Sequence, residues 1–193
     1  MLTTVPHRKR VRHFEDEPCP HELTFSTYRR LPLLTNDTWR GLLGEALTRA
    51  CDQHRWHLHA FVFMPEHVHL LLSPDAGAGR VPALLSAIKR PMSYRVKISL
   101  PPESSLRRRL TIRQRPGVKT FRFWQEGGGY DRNITEAGTF RAAVDYIHEN
   151  PVRRGLCVRP IDWRWSSACQ LIGEESVTPP VPTCVPFDPD AWL

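Results

Sequence analysis

Paired cysteines, long apolar runs and lysine are what this 193-residue chain is short of. Its five cysteines (Cys19, Cys51, Cys157, Cys169, Cys184) are scattered and odd in number, and none stands in a CxxC pair. That argues against a disulfide scaffold and a zinc knuckle, and the thiols read as packing residues in a reducing compartment. No run of about 18 apolar residues occurs, which excludes a spanning helix and a membrane role. The basic start MLTTVPHRKRVRH is followed by no apolar stretch, so it is not expected to act as a secretory signal. The expected setting is the cytoplasm. Lysine occurs only at Lys9, Lys89, Lys97 and Lys119, so arginine supplies the rest of the 27 basic residues. Against 20 acidic residues the net charge is +7. Guanidinium groups match phosphate oxygens with a planar donor fork and stack on bases. A polyanionic partner, nucleic acid first, is one reading of this excess, and an arginine-biased genome is the other.

Three stretches are expected: a basic and acidic N-terminal arm over 1–20, one domain over 21–172, and a proline-rich tail over 173–193. Inside the domain, Leu23–Tyr28 has strand alternation, and Trp39, Leu42, Leu43, Ala46, Leu47 and Ala50 recur at helical spacing between Thr38 and about Gln53. Trp56–Phe63 and Glu66–Ser73 read as strands of a tight hairpin. Val81–Ile98 reads as a helix that Pro91 should kink or split. Leu106–Phe123 is arginine-rich, with a second hairpin or loop around Arg115-Pro116-Gly117. Glu136–Glu149 reads as a helix stopped by Pro151. The order β-α-β-β-α-β-α predicts an α+β fold: a ferredoxin-like split βαβ antiparallel sheet, helices on one face, and a C-terminal tyrosine-bearing helix.

The densest chemical pattern is Met64-Pro65-Glu66-His67-Val68-His69-Leu70-Leu71-Leu72. Residues i and i+2 of a strand share a face, so His67 and His69 present two imidazoles side by side while Val68, Leu70 and Leu72 fill the opposite face. Such a pair is half a metal site on a rigid element, or a polar stripe on a half-exposed strand. If Phe63 pairs with His67 across a three-residue turn, His59 faces Leu71, and His57 and His59 share the face of His67 and His69. His59 would then support the histidines or replace one of them. In the last helix, Tyr146 and Asn150 are four residues apart and lie on one face. A phenol with a pKa near 10 attacks a phosphodiester only if the phosphate is strongly polarised, as by a metal. The competing reading is an amphipathic helix whose tyrosine is merely half-buried.

Taken in order, LTFSTYRRLPLL, FVFMPEHVHLLL, FWQEGGGYDRNI, DYIHENPVRRGL and WRWSSA resemble the REP-associated tyrosine transposases, relatives of the single-tyrosine HUH transposases of small insertion sequences. The resemblance runs from roughly Leu23 to Ala168. It implies His67 and His69 as metal ligands, Tyr146 as nucleophile and Asn150 as the helix-borne group completing the site. It also implies Mg2+ or Mn2+ as the metal, although imidazoles would equally suit zinc. Related transposases carry glutamine where Asn150 stands, and the common MPNHVHLLL is MPEHVHLLL here. Glu66 points to the opposite face in a regular strand, and only a turn would bring it to the histidines.

The implied activity is cleavage and rejoining of single-stranded DNA next to hairpins, REP-like palindromes, through a 5′-phosphotyrosine. The chain would act as monomer or homodimer, on nucleoid DNA. A catalytically weak hairpin-binding module of the same fold is the alternative, and a metal-binding protein without a nucleic-acid role fits the charge poorly. Tyr94, in a basic helix, Tyr130, in a glycine-rich loop, and Tyr28, in the first strand, are weaker nucleophile candidates. DNA contacts are expected from Arg107, Arg108, Arg109, Arg113, Arg115 and Arg122, and from Lys89, Arg90, Tyr94 and Arg95. The N-terminal His7-Arg8-Lys9-Arg10 and Arg132 would add phosphate contacts, and Phe121, Phe123 and Trp124 would offer stacking faces or, for Trp124, core packing.

Overall fold

Alternating apolar and polar residues form the first strand, β1 (His21–Ser26), whose Leu23 and Phe25 are buried on one side. Tyr28 lies outside it, in a short 3-10 turn (Tyr28–Arg30). The computed structural model describes residues 19–172 and 182–186. Helix α1 (Asp37–His54) starts where the Asn36 side chain accepts the Trp39 amide and ends at Arg55, in left-handed geometry at φ 60°. There follow β2 (Trp56–Phe63), β3 (His67–Pro74) and α2 (Val81–Ser99). Pro91 does not split α2. It stands on the exposed side, and burial of Leu84, Leu85, Ile88, Met92 and Val96, each worth about 1.5–3 kcal/mol, outweighs the roughly 3 kcal/mol that an internal proline costs.

The arginine-rich stretch holds one element that periodicity did not predict, α3 (Ser105–Leu110), capped by the Ser104 hydroxyl on the Arg107 amide. A two-stranded hairpin follows, β4 (Thr111–Arg115) with β5 (Val118–Phe121), turning at Gly117 with φ 76°. Tyr130 opens a strand rather than sitting in a loop: β6 (Tyr130–Asn133) pairs with β1. Gly129 permits that pairing, because a Cβ there would lie 2.1 Å from the Thr24 carbonyl oxygen. The last helix, α4 (Ala137–Arg153), runs through Pro151 instead of stopping at it. It ends where Gly155, at φ 65°, sends its N–H to the Val152 carbonyl and Leu156 sends its own to Pro151. The stop is thus the left-handed glycine, which satisfies the last carbonyls, and not the proline.

The main sheet has the order β2-β3-β1-β6, each neighbouring pair antiparallel. This is the split βαβ order with β6 as fourth strand. Helices α1 and α2 cover one face, where Phe61, Phe63, Val68, Leu70 and Leu72 meet Leu43, Leu47, Leu84, Ile88 and Met92. Helix α4 covers part of the other, packing Phe140, Ala143 and Ile147 on Ala60, Val62, Met64 and Leu71. The expected proline-rich tail is in part docked: the Val185 amide donates to the Leu58 carbonyl at the edge of β2, and Gln170 bonds to Pro182 and Cys184. The basic run His7-Arg8-Lys9-Arg10 lies outside the described residues. No helix among the described residues is long and apolar enough to cross a membrane.

Candidate active site

The β2–β3 turn decides the geometry. The Met64 amide donates to the His67 carbonyl at 2.9 Å, so Pro65 and Glu66 alone form the turn. The pairs are Phe63 with Val68, Val62 with His69 and Ala60 with Leu71, one residue away from the expected register. A bulge between Leu58 and Ala60 then absorbs His59. Its ring bonds to the Ser73 hydroxyl (2.7 Å) and the Val185 carbonyl (2.9 Å), stands edge-on to Phe140, and does not line the cavity described below. His59 is therefore neither ligand nor support for the histidine pair, and His57 is exposed opposite Ser73.

His67 and His69 project together beneath α4, ring centroids 4.7 Å apart and nearly perpendicular, each 5% exposed. His69 Nδ1 lies 2.8 Å from the Thr24 hydroxyl on β1, and His67 Nδ1 lies 3.0 Å from Glu66 Oε1. An ionised carboxylate only accepts, so His67 carries its proton on Nδ1. Asn150 Nδ2 stands 3.4 Å from His69 Nε2, which leaves that nitrogen an acceptor and assigns the His69 proton to Nδ1 as well. Both Nε2 lone pairs are then available to a ligand. Burial drives the His69 pKa down to about 3, helped by His67 and Arg30. The His67 pKa is also lowered, by burial first and then by Arg30 and Arg154, against the opposing pull of Glu66. Both rings are neutral near pH 7, as metal ligation requires.

Helix α4 brings Tyr146 edge-on to His69 at 5.5 Å, with the phenol 40% exposed and the Arg153 guanidinium 5.3 Å from its ring centre. Asn150, one turn on, is buried against His69. These groups line an open cavity of about 980 Å3 between α4 and the β1–β6 half of the sheet, together with Thr24, Tyr130, Arg30, Arg132, Arg153 and Arg154. Among the described residues no three His, Cys, Asp or Glu side chains cluster as a metal site. The groups that would hold a divalent ion are the two Nε2 atoms and the Asn150 amide, with further oxygens left to a substrate. Each histidine also has the hydrogen-bonded support typical of imidazole ligands.

Glu66 is not turned away. Buried at the turn, its carboxylate reaches His67, and two guanidinium groups, those of Arg30 and Arg154, reach it. Burial alone would raise its pKa, but His67 and Arg154 bring it below the ordinary carboxylate value. Sequence reasoning passed over Thr24, Arg30, Arg153 and Arg154. The arginines stand inside the quoted motifs, as the RR pairs of STYRRL and NPVRRG, but they fall at the ends of elements, where periodicity does not say which way a side chain points.

Of the described arginines singled out for DNA, Arg132 lines the cavity and the others lie elsewhere. Arg90, Tyr94 and Arg95 are on α2, across the sheet from α4, and Arg107–Arg109, Arg113 and Arg115 are on α3 and the β4–β5 hairpin. None of them lines the cavity, nor do Lys89 and Arg122. Arg109, Arg113, Arg115 and Tyr94 are exposed. Arg107 and Arg108 donate to the Leu100 and Glu103 carbonyls, Arg95 pairs with Glu45, and Arg122 with Glu126 at 2.6 Å. Lys89 lies over the Phe25 ring and on the Gly127 carbonyl, its pKa pushed down to about 8 by burial. Phe123 and Trp124 are core residues, 1% and 7% exposed, so neither is a stacking face.

The family model that matches the chain marks it as a transposase. More particularly, the chain belongs to the IS200-like transposase family, whose family model, "Transposase IS200 like", matches residues 18–150, a span holding His67, His69, Tyr146 and Asn150. No curated protein matches the chain. Among solved structures it is similar to a REP-associated tyrosine transposase bound to a REP hairpin, at 20% identity and TM-score 0.66, over 94% of this chain and 96% of that one. It is also similar to a candidate transposase from Deinococcus radiodurans R1, at 20% identity and TM-score 0.44, over 73% of this chain and 96% of that one.

Proposed function

We propose that this transposase cleaves and rejoins single-stranded DNA beside a hairpin, a REP-like palindrome, through a 5′-phosphotyrosine on Tyr146. The observation that carries the reading is the Tyr146 ring set against His69, with both histidines neutral and turned so that their Nε2 atoms are free of protons. Held by His67, His69 and the Asn150 amide, a divalent ion, Mg2+ or Mn2+, would supply stabilisation of the charge that builds on the phosphate.

The chain's own groups do the rest. Thr24 and Glu66 fix the two imidazoles by their Nδ1 atoms, so their ligating edges do not rotate. Tyr146 Oη forms a bond to phosphorus as the bond from phosphorus to the 3′-oxygen breaks, and that oxygen leaves as a hydroxyl with the proton the phenol gives up. The freed 3′-hydroxyl attacks the phosphorus of a phosphotyrosine, its own to reverse the step or one that carries a new 5′ end to join it, and the tyrosine oxygen leaves with the proton. Arg153 lies over the phenol ring and helps hold it beside His69.

Hairpin specificity is supported by the likeness to a transposase solved on a REP hairpin. Nucleoid DNA is the substrate this reading requires. A labelled hairpin oligonucleotide with a single-stranded flank, resolved on a denaturing gel, tests the chemistry. Wild type gives a covalent adduct with the metal present. Tyr146→Phe gives none while binding the hairpin as before, since only the hydroxyl is lost. An adduct that survives in Tyr146→Phe, and disappears in Tyr130→Phe, overturns the assignment of the nucleophile.

A further inference from the structure

Glu66 does more than hold His67. One of its oxygens, Oε1, gathers three donors: His67 Nδ1 at 3.0 Å, an Arg30 terminal nitrogen at 3.1 Å and an Arg154 terminal nitrogen at 3.1 Å. The carboxylate is buried, its side chain 10% exposed, whereas Arg30 and Arg154 are 59% and 48% exposed. The acid therefore lies underneath and the guanidinium groups lie above it, lining the cavity beside His67. They come from distant places, one at the exit of β1 and one at the C-terminal cap of α4.

The backbone that delivers Arg30 is strained. Arg29 and Arg30 have φ of 53° and 51°, two successive non-glycine residues in the left-handed region. Such residues persist where the surroundings hold them, and they concentrate at functional sites. Here the strain turns Arg30 back onto Glu66. With Arg153 beside them, three positive charges face one buried negative charge, so the cluster keeps an excess of positive charge at the cavity rim. A guanidinium has five N–H donors, and Glu66 uses few of them.

We propose that Arg30 and Arg154, pinned by Glu66, form a preorganised subsite for a backbone phosphate adjacent to the scissile one, and so set the direction in which the strand lies across Tyr146. The inference rests on the function proposed above. Pinning lowers the ordering cost of two long side chains at the moment the phosphate arrives. The remaining N–H groups match its oxygens in the geometry that favours arginine over lysine. At the opposite end of the cavity stand Tyr130 and Arg132, where Arg132 faces Glu22 at 3.7 Å and no paired fork exists among the described residues. The two ends are chemically unlike, as a directional groove requires.

A methylphosphonate scan tests this directly. Each linkage of the single-stranded flank is made neutral in turn, and binding is measured without metal, so that cleavage plays no part. In wild type, one linkage next to the cleavage position is expected to cost about tenfold in affinity, the scale of a charge-assisted hydrogen-bonded contact. In Arg30→Ala/Arg154→Ala the same replacement should cost less than about twofold, because the partners are gone. Glu66→Gln, which keeps the shape and removes the anchor, should reduce the wild-type cost in part. Should the double alanine variant melt well below wild type, Arg30→Lys/Arg154→Lys serves instead: charge remains, the fork is lost, and the cost of the neutral linkage should fall.

A scan in which no linkage depends on these arginines, with the hairpin still bound and cleaved by wild type, overturns the subsite and leaves the function standing. A wild-type chain that binds no flanked hairpin overturns both.

Discussion

Buried neutral histidines make the stability of this transposase depend on pH in a way that isolates His69. The ring is 5% exposed, lies against His67 and Tyr146, and has its pKa lowered to about 3 from the 6.5 of an exposed histidine. As pH falls below about 6.5 the unfolded chain takes up a proton at this position and the folded chain does not, so stability is highest above that value and declines as pH drops toward about 3. Between pH 7.0 and 5.5 the linkage relation assigns His69 a loss of about 1.2 kcal/mol. His67, His59 and His148 have lowered pKa values as well and act with the same sign. Glu22, raised by burial, acts with the opposite sign. Comparing wild type with His69→Gln cancels the contributions of His59, His148 and Glu22, since glutamine does not titrate. Urea unfolding in chelator at the two pH values should show wild type losing about 1.2 kcal/mol more than the variant. An equal loss in both proteins refutes the claim that His69 is held neutral by burial.

Four further outcomes follow from the same geometry. Thr24→Val removes the hydroxyl that fixes His69 Nδ1, and Mn2+ affinity measured by calorimetry should fall about 10–100-fold; unchanged affinity would detach Thr24 from the site. His67→Ala and His69→Ala should each end cleavage, and chelator should do the same to wild type with rescue by Mg2+ or Mn2+; full-rate cleavage in chelator would sink the metal reading. Gly129→Ala places a Cβ 2.1 Å from the Thr24 carbonyl at a φ of 86°, so it should cost more than about 1 kcal/mol by thermal melting, and an unchanged melt would mean β6 does not pair as described. Alanine at Arg107, Arg108 and Arg109 should lower affinity for blunt duplex and flanked hairpin alike and flatten the salt dependence, because these side chains lie away from the cavity; loss confined to the flanked hairpin would place them at the cleavage site.

Local pattern was enough to read much of this protein. Strand alternation and helical spacing located β2, β3, α1, α2 and most of α4, and i, i+2 geometry put His67 and His69 on one face, because side-chain direction within a regular element follows from its period. The order of elements already implied a split βαβ sheet. What lay beyond local pattern was decided where chain segments meet. The Met64–His67 bond shortened the turn, shifted the pairing by one residue and expelled His59 into a bulge. Two prolines failed to break helices that core contacts held together. Phe123 and Trp124, placed among arginines in the sequence, were drawn into the core because burial rewards large aromatic surface more than local neighbours constrain it. Glu66, Arg30 and Arg154 are 36 and 88 positions apart on either side of Glu66, so no periodicity couples them. Only folding brings a turn, a strained strand exit and a helix cap to one carboxylate oxygen, because the Coulomb and hydrogen-bond terms that join them act over a few ångströms in space and are blind to distance along the chain.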